Sequence, residues 1–257
     1  MNSDDAGGPF DSWIQDLEVR HLADLTFPEV SRALRALSST YVERRGKIAE
    51  GAALSGAGKR AAFALFYGPL HFLLVQYVLG HVRASSGPGG PVIDLGCGTG
   101  VAGAASASVF GPGTEVLGVD RNAWAIEEAR RAYKAFGARG RTRNDDLTHV
   151  TLPSGALVIA AFAINELGDE ARAALLPRLI DHASRGGRLL IVEPLAGFVA
   201  PWWDEWQRQL APAGGQVHEW RTRLPLPAIV EKLDRAAGLN HREIKGRTIS
   251  AHLKLKT

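Results

Sequence analysis

The 257-residue sequence has little cysteine and little excess charge of either sign. Its single cysteine, Cys97, excludes an internal disulfide and fits a reducing compartment. The formal net charge is +3 and the sequence pI is about 9.2. This mild excess is compatible with an anionic substrate but does not demand nucleic acid. Residues Met1–Pro9 lack the basic-then-apolar order of a secretory signal peptide, so we expect a cytoplasmic location.

Metal-ligand clusters and internal repeats are also lacking. Histidines are scattered and acids do not cluster with them, so no metal site is predicted. The stretch Ala61–Val82 is apolar and long enough to span a bilayer. Because it contains Gly68-Pro69 together with His71 and Gln76, a kinked or paired buried helix is favoured, and no membrane partner is expected.

The chain does contain a linker, Ser85–Gly90, that separates two kinds of pattern. We place a helical cap at residues 1–88 and a second domain at 89–257. In the cap, apolar spacing predicts helices at Phe10–Leu25 and Glu29–Val42, and Lys47–Lys59 reads as a loop or weak helix.

After the linker, strand and helix patterns alternate, which predicts an α/β fold with a doubly wound, mostly parallel sheet. The expected strands are Val92–Leu95, Glu115–Val119, Gly140–Arg143, Leu157–Ala163 and Arg188–Val192, with two closing strands at Leu239–Lys245 and Thr248–Lys256. The expected helices are Val101–Phe110, Asn122–Phe136, Asp169–Ala183, Ala200–Leu210 and Ala228–Ala237.

The most informative motif is a buried strand that runs into a glycine-rich turn, Asp94-Leu-Gly-Cys-Gly-Thr-Gly100. The following strand also ends in an acid, Asp120. Glycines let the backbone approach a ligand closely, and an acid at the tip of the second strand can hold a ribose. The pattern therefore predicts a nucleoside cofactor, and its spacing points to S-adenosylmethionine.

A dinucleotide is the competing interpretation, because Gly98–Gly103 matches that glycine fingerprint and Asp120 lies where a dehydrogenase places its ribose acid. However, the first glycine of that fingerprint, Gly98, lies three residues beyond the end of the strand. In addition, the carboxylate of Asp94 at the strand tip would crowd a pyrophosphate. The acid pair Asp145-Asp146 also stands where an adenine amino group needs an acceptor. We favour S-adenosylmethionine.

Each part of that cofactor has an expected partner. The loop amides and the helix that follows favour the methionyl carboxylate, and Asp94 can attract the ammonium group. Asp120 can accept both ribose hydroxyls, and Asp146 is preferred over Asp145 for the adenine amino group. Trp124 either stacks on adenine or packs in the core. The predicted cofactor-binding residues are Asp94, Gly96, Cys97, Gly98, Gly100, Asp120, Arg121, Asp146, Leu147 and Ala163.

Methyl transfer needs alignment and exclusion of water more than a catalytic dyad. Asn165 and Glu166 are the predicted catalytic residues: Asn165 to orient an acceptor, Glu166 as a base or pocket residue. Capping of the next helix is the equally weighted alternative. Glu193 reaches the acceptor in one interpretation and forms a structural ion pair in the preferred one. His71, four residues after Tyr67, is a candidate base, although a core histidine is favoured.

Two further segments have a functional and a structural interpretation. Pro201–Trp206 is rich in tryptophan and forms either an aromatic wall for a flat acceptor or, preferably, a helix pinned to the sheet. The basic residues between Arg130 and Arg143 either track phosphates or, preferably, form a solvated face.

From about Pro91 onward, these residues resemble the class I S-adenosylmethionine-dependent methyltransferases. The resemblance rests on the glycine-rich turn Asp94–Gly100, on Asp120, and on the segments Asp146-Leu147 and Asn165–Leu167. It implies a Rossmann-like, seven-stranded sheet whose last strand is antiparallel. It also implies S-adenosylmethionine as the cofactor and transfer of a methyl group to a small-molecule or RNA acceptor.

A narrower resemblance, to the ribosomal small-subunit-associated methyltransferase-like proteins, rests on Ala61–Pro69, Asn165–Leu167 and Val192–Pro194. This chain lacks the cysteine-rich C-terminal stretch that many of those proteins carry. The alternative to an enzyme is therefore a catalytically silent scaffold or a ribosome-associated binding protein.

Overall fold

The structure, a computed structural model, describes residues 7–43, 54–83, 89–195 and 200–255. Contacts divide the chain into two compact units. Unit 1 comprises Met1–Leu70 and Pro225–Arg242, and unit 2 comprises His71–Leu224 and Glu243–Thr257. Most of the predicted linker lies outside the described residues, so the boundary placed at residue 88 stays a prediction.

Unit 1 is helical. Its helices are α1 (Pro9–His21), α2 (Phe27–Glu43), the first part of α3 (Ala57–His81) and α8 (Ala228–Ala237). Helix α8 buries Ile229, Val230 and Leu233, whose spacing places them on one face. Within this unit the guanidinium of Arg35 donates to the carbonyl of Ala236 at 2.8 Å, which joins α2 to α8. Most of the predicted loop Lys47–Lys59 lies outside the described residues.

Helix α3 is continuous through Gly68-Pro69 and largely buried, so the expected pair of helices is wrong, whereas the kinked alternative stays a prediction. A π-helical turn, Phe63–Tyr67, ends directly before the glycine, and the Gly68 N–H donates to the Phe63 carbonyl. A widened turn redistributes the bonds that a proline disrupts, so the helix can proceed past it. Of the described helices, α3 alone is long and apolar enough to cross a membrane, and 72% of its most apolar window is buried inside the protein.

Unit 2 is built on a sheet of seven strands in the order β4-β3-β2-β5-β6-β8-β7, in which β8 runs antiparallel to both neighbours. A separate antiparallel pair joins β1 (Val82–Arg83) to β9 (Lys254–Leu255). This topology confirms the predicted fold class. The seven strands are β2 (Val92–Leu95), β3 (Glu115–Asp120), β4 (Arg139–Asn144), β5 (Leu157–Ala161), β6 (Arg188–Glu193), β7 (Gly215–Thr222) and β8 (Ile244–Ala251).

Four helices of unit 2 connect these strands: α4 (Val101–Phe110), α5 (Ala123–Ala135), α6 (Asp169–Ser184) and α7 (Trp203–Leu210). The central strands β2, β5 and β6 are buried almost throughout, which is why each reads as an apolar run rather than an alternation. The parallel strands therefore bring their carboxyl ends, and the loops after them, to one edge of the sheet.

The C-terminal strands differ from those predicted. The segment Leu239–Lys245 is mostly a loop, because Gly238 ends α8 in the left-handed region with φ of 71°. The strand that fills this place in the sheet is β7, which lies at the sheet edge and buries little besides Trp220 and Thr222. Its mixed burial leaves little alternation for sequence analysis to detect.

Candidate functional site

The loop between β2 and α4 is held in a tight, left-handed path. Gly96, Gly98 and Gly100 have φ angles of 66°, 50° and 80°, which side-chain-bearing residues rarely adopt. The N–H of Cys97 donates to the Val119 carbonyl at 3.0 Å, and the N–H of Gly100 donates to the Cys97 carbonyl at 2.7 Å. The loop is thus tied to β3 on one side and closed on itself on the other.

The three loop glycines face different surroundings. A Cβ atom at Gly96 would lie 2.6 Å from the Cβ of Ala163 and 3.4 Å from a methyl of Leu147. At Gly100 it would lie 2.7 Å from the Cα of Ala129, whereas at Gly98 it would meet nothing within 4 Å. Backbone therefore faces open space at Gly98, as a cradle for a ligand requires. Gly96, Leu147 and Ala163, all predicted cofactor contacts, lie together beside it.

Asp120 joins the tip of β3 to that loop. One carboxylate oxygen accepts from the Gly98 N–H at 2.9 Å, and the other accepts from the Asn122 N–H at 2.8 Å. A carboxylate has about four lone-pair positions, so two remain for the hydroxyls of a ribose. The residues present therefore fit the nucleoside end of S-adenosylmethionine.

Asp94 has a structural role that the sequence did not indicate. Its carboxylate accepts from the Gly103 N–H at 2.9 Å, in the first turn of α4, and from the Tyr133 hydroxyl at 3.1 Å. Burial raises the pKa of Asp94 to about 7, although these two hydrogen bonds lower it. Asp94 thus fixes the start of the helix after the loop, and its contact with a ligand ammonium stays a prediction.

Tyr133 of α5 is the residue at this site that sequence analysis missed. Its side chain occupies space that three glycines leave: a Cβ at Gly103, Gly118 or Gly140 would lie 2.4, 2.3 or 2.6 Å from the nearest Tyr133 atom. Burial raises the pKa of the Tyr133 hydroxyl well above its usual value. The signal was present in the sequence, because glycine inside a strand marks the close approach of another group.

The residues predicted to contact adenine follow strand β4. One oxygen of Asp146 accepts from the N–H and hydroxyl of Thr148, at 2.8 and 2.7 Å, and the other pairs with the exposed guanidinium of Arg121 at 3.0 Å. Burial opposes the shift, but these hydrogen bonds and the Arg121 charge lower the pKa of Asp146. Asp146 is therefore an anion that already has partners, and two predicted cofactor residues meet here.

The strand β5 ends at Ala161, two residues earlier than expected, because Phe162 adopts a positive φ of 59°. A bulky side chain in that region is strained, and such strain is concentrated at functional sites. The Phe162 ring stacks on the imidazole of His71, with centroids 3.7 Å apart and an interplanar angle of 12°. Both rings belong to unit 2 and are half-buried.

The predicted catalytic pair lies on the short helical turn that follows, Ile164–Glu166. The side-chain oxygen of Asn165 accepts from the indole N–H of Trp202 at 3.1 Å, whereas Glu166 is exposed. Behind them lies the fully buried Glu193, whose Oε1 accepts from the N–H groups of Ile164 and Asn165 at 3.0 and 3.3 Å. Burial raises the pKa of Glu193 to about 8, in spite of these two hydrogen bonds.

The cation opposite Glu193 is Arg247. The two residues are register partners in β6 and β8, and the guanidinium of Arg247 lies 4.1 Å from the centre of the Trp203 ring. Within the described part of the chain, Oε2 of Glu193 and Nε and Nη2 of Arg247 are buried without hydrogen-bond partners. Among the described residues, Glu193 and Arg247 thus act on each other through their charges without a hydrogen-bonded ion pair, which the preferred expectation for Glu193 required.

The remaining candidates have structural contacts. Trp203 and Trp206 are each 3% exposed, as the packing interpretation of that segment requires. The arginines of β4 are exposed, and Arg139 and Arg143 pair with Glu115 and Asp145 at 3.3 and 3.8 Å. Trp124 is half-buried in the first turn of α5.

Among residues 7–43, 54–83, 89–195 and 200–255, no group of three potential ligand side chains could hold a metal ion. Cys97, predicted as a loop contact, is buried, and burial raises the pKa of its thiol well above the usual value.

The sheet order and the glycine-rich loop after its first strand show a Rossmann-like α/β fold. Residues 92–187 match the family described as "Methyltransferase domain", which covers β2 to the end of α6. The match agrees with the methyltransferase function and the S-adenosylmethionine cofactor that the sequence predicts for this part of the chain.

Three comparisons illustrate the likeness. The chain is 28% identical over 109 residues to carboxy-S-adenosyl-L-methionine synthase of Cronobacter sakazakii (strain ATCC BAA-894), covering 41% of this chain and 44% of that one. The chain thus spans less than half the length of that relative. The mitomycin 7-O-methyltransferase MmcR has a TM-score of 0.53 and 16% identity over 98% of this chain and 74% of its own. The magnesium protoporphyrin IX methyltransferase ChlM of Synechocystis PCC 6803, with bound SAM, has a TM-score of 0.46 and 15% identity, covering 86% and 97% of the two chains.

Proposed function

We propose that this protein is an S-adenosylmethionine-dependent methyltransferase that works in the cytoplasm on a small-molecule or RNA acceptor. The observation that carries the proposal is the hydrogen bond between the Asp120 carboxylate and the Gly98 amide. This contact supports a ribose-binding role for Asp120, because the carboxylate lies at the open side of the glycine loop. A matching family description for residues 92–187 supports the same conclusion.

In this proposal each cofactor-binding residue contacts a different part of S-adenosylmethionine. Asp120 accepts the ribose hydroxyls with its two remaining lone pairs, and the backbone at Gly98 meets the methionyl end. Asp146, Arg121 and Leu147 border the adenine. Ala163 closes the side next to Gly96. Asp94 keeps the α4 N-terminus in place, where its dipole favours the methionyl carboxylate.

Catalysis in this proposal is mainly alignment. Bound S-adenosylmethionine would supply a methyl group already activated by its sulfonium. Asn165 would orient the acceptor from the turn after β5, and Glu166 would border the acceptor or take its proton where the nucleophile must lose one. The strained Phe162, stacked on His71, comes directly before that turn in the chain.

The test is incubation of the full chain with methyl-labelled cofactor and fractionated cell extract. Label entering a small-molecule or RNA fraction, and lost with Asp120→Ala, would support the proposal. Cofactor binding by calorimetry without transfer to any fraction would favour the silent scaffold or the ribosome-associated binding protein instead. No binding of the cofactor would contradict the proposed function and leave the ribosome-associated binding protein as the interpretation.

Exposed arginines on β4 allow the acceptor classes to be separated. Charge reversal at Arg139 and Arg141 should weaken RNA binding, and weaken it more at low salt, when RNA is the acceptor. The matched control is charge reversal at Lys232 and Arg235 of α8, in unit 1. Transfer that is indifferent to both double variants and to salt indicates a small molecule.

A further inference from the structure

Glu193 makes contacts that neither a cofactor ligand nor a surface acid would make. It is 0% exposed, and Oε1 receives two backbone N–H groups from one turn, those of Ile164 and Asn165. These amides stand at the start of the short helical turn, where backbone donors have no intrahelical partners. Glu193 at the end of β6 therefore fixes the backbone that follows β5.

The effect reaches a second loop through Asn165. The amide of Asn165 is held by Glu193, and its side-chain oxygen accepts from the indole of Trp202 at 3.1 Å. Trp202 precedes the first residue of α7. One buried carboxyl thus connects the turn after β5 to the start of α7, through a single asparagine.

The burial of this acid is costly, since desolvation favours its neutral form. Arg247, its register partner on β8, and Glu166 are the charged groups that act on it. On the other side, Arg247 has the register partner Glu219 on β7, which is exposed. Two acids therefore flank one arginine across the sheet, and only the buried one reaches the Asn165 turn.

We propose that Glu193 is a positioning residue for methyl transfer: through the amides of Ile164 and Asn165 it sets the position of the Asn165 side chain and of Trp202. This inference rests on the proposed function, because the position of Asn165 affects a reaction only when an acceptor binds there. It requires no contact between Glu193 and either substrate.

The first measurement is the ¹H–¹⁵N signal of the Trp202 indole in the full chain, assigned by its absence in Trp202→Phe. Glu193→Ala removes the acceptor of both amides and should displace or broaden this signal. Glu193→Gln keeps a carbonyl oxygen for the amides and should leave it nearly in place. Glu219→Gln, the matched control, should not change it. Where Glu193→Ala does not fold, Glu193→Asp, too short to reach the turn, replaces it.

The second measurement is turnover on the fraction that accepts labelled methyl. Glu193→Ala or Glu193→Asp should lower kcat on the order of tenfold or more, because small displacements of an aligned group slow transfer steeply. Binding of S-adenosylhomocysteine should remain close to wild type, and Glu193→Gln should restore most of kcat.

A Trp202 signal that is unchanged in folded Glu193→Ala or Glu193→Asp would overturn the inference, as would an equal change in Glu219→Gln. The indole signal requires no acceptor. A wild-type protein that transfers no methyl group would therefore defeat the proposed function, while the spectrum would still decide whether Glu193 positions the turn.

Discussion

Single residues at this site differ sharply in how much change they tolerate, and the loop glycines show it best. Gly96→Ala forces a Cβ to within 2.6 Å of Ala163 and also strains a positive φ, whereas Gly98→Ala meets open space. We expect Gly98→Ala to cost about 1 kcal/mol of stability from backbone strain alone. Gly96→Ala should cost about 1–3 kcal/mol more from overpacking. Urea unfolding of both variants measures the difference, and equal losses would contradict the assigned packing.

Asp120 carries the second prediction at this scale. Asp120→Ala removes the acceptor of two backbone amides as well as the proposed ribose contacts. We expect affinity for S-adenosylmethionine to fall by about 1.5–3 kcal/mol, the value of hydrogen bonds to a charged group. Calorimetry measures this loss. Glu115→Ala, an exposed acid at the other end of the same strand, is the control and should bind normally. An unchanged affinity in Asp120→Ala would remove Asp120 from the site.

Residues with local signals could be predicted from the sequence, and residues with tertiary roles could not. The glycine loop and Asp120 are defined by their spacing around two strand ends, and the structure joins them by a direct hydrogen bond. Tyr133 looks like an ordinary residue on the buried face of α5, and its contact with Asp94 depends on three glycines from separate elements. Glu193 gains its role only when β6 lies beside the turn after β5.

At the scale of elements, replacing a helical glycine by alanine should have opposite effects on stability in α3 and in α4. A Cβ at Gly80 would meet nothing within 4 Å, whereas one at Gly103 would lie 2.4 Å from the Tyr133 ring. Gly80→Ala should therefore stabilise the protein by about 0.5–1 kcal/mol, through helix propensity and reduced freedom of the unfolded chain. Gly103→Ala should destabilise it, because the buried ring cannot move aside.

Thermal or urea unfolding of the two alanine variants tests this contrast. The two substitutions are chemically identical and both lie in α-helices, so each is the other's control. If both variants changed stability in the same direction, the close packing of Tyr133 against α4 would be wrong.

The elements themselves show where a sequence pattern is sufficient. The strands β2, β3, β5 and β6 and the helices α4–α6 are close to their predicted positions, because apolar runs and helical spacing between turn residues leave clear patterns. Strand β7 was missed since it is a largely exposed edge strand. The π-helical turn before Pro69 was missed since it reflects hydrogen bonding and leaves no periodicity.

At the scale of the whole molecule, two buried acids make stability depend on pH. The pKa of Glu193 rises from 4.5 to about 8, and that of Asp94 rises from 3.8 to about 7, both through burial. A folded state with raised acid pKa values binds more protons than the unfolded chain. Stability is therefore highest below the unfolded values and decreases as pH rises through this range.

We expect the free energy of unfolding to decrease by on the order of a few kcal/mol between pH 5 and pH 8.5, judged from the size of the Glu193 shift. Glu193→Gln should reduce this dependence, because it removes the larger of the two titrations. Urea unfolding at constant ionic strength measures the slope. Identical slopes for wild type and Glu193→Gln would show that Glu193 does not titrate as a buried acid.

The Tyr133 ring is enclosed by glycines from α4, β3 and β4. This enclosed position makes it suited to replacement by an added small molecule. Shortening it to glycine would leave a phenol-shaped hole beneath the nucleotide loop, where Asp94 would lose its hydroxyl donor. A dissolved cresol of matching size could refill that hole and restore the lost bond. The stability of the Tyr133→Gly protein would then depend on the concentration of the added compound.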